Sequence, residues 1–113
     1  MKDTNTLPEG ITQEMIDAAK LKFKPNHVSY AELPMDDDGN DYMTVLVRKP
    51  DRSVLSEYTK WIDKNPGKAD EILVNSCLLS HKEIVKADDG LFQGCVDAIG
   101  QLISVRKARI KNI

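Results

Sequence analysis

Tyr42-Met43-Thr44-Val45-Leu46-Val47 decides the fold. The run is dense in β-branched and aromatic side chains, which suit a pleated, half-buried surface, so it reads as a strand. Upstream, Val28 to Leu33 has a similar character, and Pro34-Met35-Asp36-Asp37-Asp38-Gly39-Asn40-Asp41 separates the two. Asp38-Gly39 and Gly39-Asn40 are turn dipeptides, because Gly and Asn accept positive φ at little cost. One antiparallel hairpin is therefore expected. A lone hairpin is marginal in water, so it has to pack on helices or pair with another sheet edge.

Helical patterns lie on both sides of it. Thr12 is a candidate N-cap for a helix reaching about Phe23, with Met15, Ala18, Ala19 and Lys22 at helical spacing, Ile16 and Phe23 widening the stripe, and Pro25-Asn26 as the stop. After the hairpin, Asp51 is placed to cap a helix reaching about Lys64, whose stripe is Val54, Leu55, Tyr58, Trp61 and Ile62. Asn65-Pro66-Gly67 closes it. A third helix is expected from Lys68 to about Leu79, with Ala69, Ile72, Leu73 and Cys77 on one face. Ser80 to Asp88 reads as a polar connection. Asp88 or Asp89 then caps the longest helix, expected to reach about Arg109 on the stripe Phe92, Cys95, Val96, Ile99, Leu102 and Ile103. Gly94 and Gly100 lie off that stripe; they would permit close approach of another helix, but the plainer reading is exposed, tolerated glycines. The expected fold class is α+β: an N-terminal β-hairpin packed with about four helices, the C-terminal one longest. Residues 1–10 are read as a flexible arm and 11–113 as a single domain.

Composition narrows the function classes. The 113 residues are 41% hydrophobic and 30% charged, which suits one globular domain rather than a disordered chain. The formal net charge is -2, so no global positive field drives binding to phosphate backbones. Cys77 and Cys95 both fall among apolar residues, outside any C-x-x-C pair, and read as buried thiols of a reducing compartment. No signal-peptide pattern follows Met1-Lys2, and the apolar runs are far short of the ~20 residues a membrane helix needs, so a cytosolic location is expected.

Each arrangement that resembles chemistry has a plainer structural reading. The acidic turn Asp36–Asp41 fits no register of a calcium-binding helix–loop–helix and reads as a solvated hairpin turn. His27 and His81 stand at no ligand spacing that points to zinc. Ser80 and His81 are adjacent, and neighbouring side chains rarely face one another, so no nucleophile–base pair is expected there. Phosphate-binding loops, dinucleotide-binding loops and nucleophile elbows have no counterpart in the sequence. No catalytic residue, cofactor or metal is assigned. The cluster Arg106-Lys107-Ala108-Arg109-Ile110-Lys111 and the smaller group Arg48, Lys49 and Arg52 are set against nucleic-acid binding by the net charge and by the lack of interleaved aromatics. Cations in a helix's last turns complement its dipole, and that is the reading of the first cluster.

The order of features resembles small phage and prophage proteins of the tail assembly chaperone type. The residues carrying the resemblance are Val47-Arg48-Lys49-Pro50-Asp51-Arg52 at the hairpin exit, Ile72-Leu73-Val74-Asn75-Ser76-Cys77, Lys82-Glu83-Ile84, and Asp88-Asp89-Gly90-Leu91-Phe92. It covers about Ile11 to Lys107 and departs from the pattern at Leu78-Leu79-Ser80-His81, where such proteins carry Trp and a Gly-Gly-Asp turn. The resemblance implies a non-enzyme that holds helical segments of a long tape measure protein during tail assembly, with self-association as a possible companion property. From stripe width, the groove is expected between the Val54–Ile62 and Phe92–Ile103 helices, with Tyr58, Trp61, Ile99 and Leu102 as candidate protein-binding residues. Two alternatives remain: a structural or interaction subunit of an unrelated complex, docking through its hairpin edge, and a nucleic-acid-binding regulator using the Arg106–Lys111 cluster.

Overall fold

The computed structural model describes residues 7–103 and 108–113. The hairpin forms as β1, Val28–Pro34, and β2, Tyr42–Arg48, paired antiparallel from Val28 opposite Arg48 to Pro34 opposite Tyr42. Gly39 has φ 71°, the left-handed conformation that the turn dipeptides anticipate. The Asn40 N–H donates to Asp36 Oδ1 at 3.1 Å, so one of the acidic side chains organises the turn itself.

From Val45 to Arg48, strand β2 is buried on both faces. Val45 and Val47 face one way with Ala31 and Leu33 of β1, while Leu46 and Arg48 face the other. The first face carries the main core. There α2 (Arg52–Ile62), α3 (Pro66–Cys77), α4 (Lys82–Ala87) and α5 (Asp89–Leu102) gather Val54, Leu73, Val74, Cys77, Leu78, Val85, Leu91, Cys95 and Ile99 against the strands. Helix α1 (Gln13–Lys22) covers part of the second face, where Ile11, Ile16 and Ala19 surround Leu46. Hairpin and helices thus form the expected α+β fold, with five α-helices among the described residues, of which the last is the longest.

Four of the helix starts follow the capping chemistry, α4 being the exception. Thr12 Oγ1 accepts the Met15 N–H at 3.2 Å, Asp51 Oδ1 accepts that of Val54 at 3.0 Å, Asn65 Oδ1 that of Lys68 at 3.2 Å and Asp88 Oδ1 that of Leu91 at 2.9 Å.

Three expectations need correction. The stretch Ser80–Asp88 is not a plain connection: Lys82–Ala87 is helical, and it inserts Val85 into the core at 0% exposure. One buried residue in six leaves no periodicity to detect. The last helix stops at Leu102, not near Arg109. Ile103 is already extended and Ala108–Ile113 has no regular structure, while 104–107 lie outside the described residues. The apolar stripe ends at Ile103, so a longer helix would bury nothing more. Arg109 and Lys111 consequently lie beyond α5 rather than in its last turn, which holds no basic residue. In α1, Ala18 and Lys22 point to solvent, and Ile16 with Ala19 makes the buried contact.

Gly94 is not simply an exposed glycine. A Cβ there would lie 3.5 Å from Pro34 Cδ and 3.9 Å from Leu33 Cβ, so α5 passes close over β1 at this point. Gly100 has open space around it.

Candidate functional site

Among the described residues, Arg48 and Ser80 are the buried polar ones, at 8% and 4% exposure, and both serve the fold. Arg48 Nε donates to the Ser76 carbonyl at 3.0 Å, near the end of α3, and Nη1 pairs with Asp51 Oδ2 at 3.2 Å, at the cap of α2. Its guanidinium lies 4.3 Å over the Phe23 ring at the end of α1. One side chain therefore ties three helices to β2, and it is a structural clamp rather than part of a basic patch for nucleic acid. Asp51 carries the other half of the clamp: its carboxyl is held below the ordinary value of 3.8 chiefly by the Val54 N–H, with the charge and hydrogen bond of Arg48 adding to this against the opposing effect of burial.

Ser80 and His81 do face each other, contrary to expectation, at 2.8 Å between Oγ and Nδ1. His81 makes this possible by adopting the left-handed conformation, φ 55° and ψ 34°, uncommon for a residue with a side chain. The hydrogen bonds form a chain. The Leu46 N–H donates to Ser80 Oγ at 2.8 Å, the hydroxyl donates to His81 Nδ1, and His81 Nε2–H donates to the Glu9 carbonyl at 2.9 Å. That assignment is the tautomer that satisfies every partner. It closes the outer edge of β2, together with the Leu79 N–H donating to the Leu46 carbonyl at 2.7 Å and Leu78 bridging Val47. It also fastens Glu9 and Gly10 to the hairpin. A catalytic reading fails on geometry: Ser80 is buried, and the imidazole nitrogen that a carboxylate would orient in a triad is spent on the serine instead.

The thiols are enclosed in the main core, and burial pushes both up to about 11, so at neutral pH they stay protonated and unreactive. Among the described residues no three His, Cys, Asp or Glu side chains gather as they would to hold a metal ion, and no helix is long and apolar enough to cross a membrane.

The four candidate protein-binding residues do not meet in one groove. Helix α2 leans on α3, and α3 in turn on α5. Ile99 is fully enclosed, at 0% exposure. Tyr58 and Leu102 are half-buried against the main core. Trp61 is half-buried apart from both cores, with the Lys68 ammonium 3.9 Å over its ring.

A group of exposed apolar side chains gathers elsewhere, around the hairpin. Met35, Tyr42 and Ile84 are each more than half exposed, and with Met43 and Thr44 they line a concavity of about 530 Å³, closed on one side by Pro8–Gly10 and His81. A sequence signal existed in Met35, Tyr42 and Met43 flanking the turn. Ile84 belonged to a segment read as a connection, so its place beside them was not legible. A second groove, of about 440 Å³, runs between the free edge of β1 and α5. Compared with protein-family models, with curated proteins and with solved structures, the chain matches none.

Proposed function

We propose that this chain is a non-enzymatic protein-binding module of the phage tail assembly chaperone type, holding amphipathic helical segments of a tape measure protein before tail-tube subunits replace it. The observation that carries the reading is the concavity in which exposed Met35, Tyr42 and Ile84 stand beside half-buried Met43. Methionine and tyrosine on a concave rim adapt to helices of varied sequence, because a thioether is flexible and a phenol tolerates both apolar and wet neighbours. The partner class comes from the resemblance of Val47–Arg52, Ile72–Cys77 and Asp88–Phe92 to such proteins. The binding face moves from the α2–α5 region to the hairpin–α4 concavity, because Ile99 is enclosed. Weak contacts repeated along a long helical protein would give avidity while leaving each one displaceable.

The test is co-expression with the tape measure protein encoded beside the tail-tube gene of the same genome. The chain should keep that protein soluble, and Tyr42→Ser with Ile84→Asp should abolish the effect while leaving thermal unfolding within about 0.5 kcal/mol of wild type, as for surface substitutions generally. Retained solubility in the double variant refutes the site, and an insoluble tape measure protein with wild type refutes the function. The free edge of β1 favours a second reading, a subunit that docks an extended segment of an unrelated complex. A stable one-to-one complex with a protein unrelated to tails would establish it.

A further inference from the structure

The two edges of the hairpin are treated differently. The ladder is flanked by the Met35 N–H donating to the Asp41 carbonyl and the Lys49 N–H donating to that of His27, at 2.8 and 2.7 Å. These fix the parity: odd-numbered residues of β1 bond to β2, and even-numbered ones direct their backbone groups outward. The Val28 N–H is taken by the Pro25 carbonyl, and Pro34 has no donor. Among the described residues, the N–H and C=O of Tyr30 and of Glu32 and the carbonyls of Val28 and Pro34 find no backbone partner. On β2 the corresponding groups of Leu46 are covered by Leu79 and Ser80. An uncovered edge beside a groove is a template for one more strand.

The groove selects its occupant. It is lined along β1 by Tyr30, Glu32 and Pro34 and along α5 by Asp97, Ala98 and Leu102, so it offers two carboxylates and no cation. A second copy joined edge to edge through β1 does not fit. Each α5 stands over its own β1, passing it closely at Gly94, and neighbouring strands lie ~4.8 Å apart, well inside the ~8–10 Å that packed helices require. The occupant must be an extended segment without a helix of its own, basic and alternately apolar. Ala108-Arg109-Ile110-Lys111-Asn112-Ile113 has that pattern: Arg109 and Lys111 share one face and Ile110 takes the other. Its isoleucines gain nothing where they stand, Ile110 being 97% exposed. It also starts within reach. From Ile103, next to Leu102 in the groove wall, to Ala108 the chain can span up to ~17 Å.

We infer that Ala108–Ile113 adds to the free edge of β1 in the same molecule as a third strand, with Ile110 under Ala98 and Leu102 of α5 and with Arg109 and Lys111 on the Glu32 face. The tail then guards the edge against other strands and yields it to a partner that competes for the same backbone groups. This inference is independent of the tail-assembly reading, whose concavity lies at the turn end of the hairpin.

Amide hydrogen exchange on the full chain tests it, by comparing wild type, a form lacking residues 104–113, and Ile110→Asp. Docking predicts that the Tyr30 and Glu32 amides exchange at least tenfold faster in both altered forms, while the Val45 amide, inside the ladder, is unchanged. A charge swap gives the second arm: Glu32→Lys should raise the Tyr30 exchange rate, and Arg109→Glu with Lys111→Glu should restore protection. Equal Tyr30 and Glu32 exchange in all forms overturns the inference. Protection that rises with protein concentration overturns it as well, by assigning the strand to the tail of a second copy.

Discussion

Replacing Arg48 by Met removes a guanidinium while keeping an unbranched apolar stem in the same space. The hydrogen bond to the Ser76 carbonyl comes from a charged donor and is worth ~1.5–3 kcal/mol. The stack on Phe23 contributes ~0.5–2 kcal/mol, because the site is largely desolvated. The Asp51 partner is 56% exposed, so that ion pair is screened and is worth under ~1 kcal/mol. Opposing these is the cost of burying the cation, several kcal/mol, which Met relieves. The Ser76 carbonyl, left without its partner, sets the balance, and a net loss of about 2–3 kcal/mol is expected. In urea this reads as a lower midpoint at unchanged slope, and on heating as a fall in Tm of roughly 8–12 °C. Arg48→Lys should recover less than half, since an ammonium has no planar fork to serve Ser76 and Asp51 at once. A cycle with Asp51→Ala should give a coupling under ~1 kcal/mol. An Arg48→Met protein within about 0.5 kcal/mol of wild type would mean that desolvation cancels the clamp, and the argument would fail.

Three further predictions concern the arm, the cap and the thiols. Gly10 has φ 82° and an added Cβ would run into His81 Nε2, so Gly10→Ala should break the Glu9–His81 bond and expose residues 7–11 to protease; an unchanged cleavage pattern would count against the latch. Asp51→Ala should cost about 1 kcal/mol at pH 7 through loss of the cap on Val54. The folded carboxyl titrates below its ordinary value of 3.8, so its ionic contribution is present above 3.8 and is lost as pH falls through the lower folded value. The gap between wild type and Asp51→Ala, followed by urea unfolding, should therefore narrow in that acid range, and a constant gap would remove the linkage. Cys77 and Cys95 should react with a thiol reagent at the rate of global or local opening, with no rise between pH 7 and 9, whereas a burst in the native protein would contradict their enclosure.

Local chemistry was legible in the sequence wherever neighbouring residues carry it. The hairpin, its turn at Gly39 and the caps Thr12 and Asp51 were read from a few adjacent positions and the structure forms each of them, while between the two candidates Asp88 and Asp89 the cap is Asp88. A turn or a cap is satisfied within about four residues, so the information is present in the string. The candidate site was read less well, because stripe width says that a side chain is covered but not by what. Ile99 lies on the cleanest stripe and is enclosed for that very reason, while Ile84 sits on no stripe and is exposed beside Tyr42.

Only the tertiary structure could decide that β2 is covered on both faces, that Arg48 leaves the surface to join three helices, that Ser80 and His81 close one edge of the hairpin, and that the other edge stays open beside α5. These outcomes depend on which groups tens of residues apart come together in space and which do not. Such meetings are set by how the packed elements compete for the same apolar surface, and no local pattern in the chain encodes the winner.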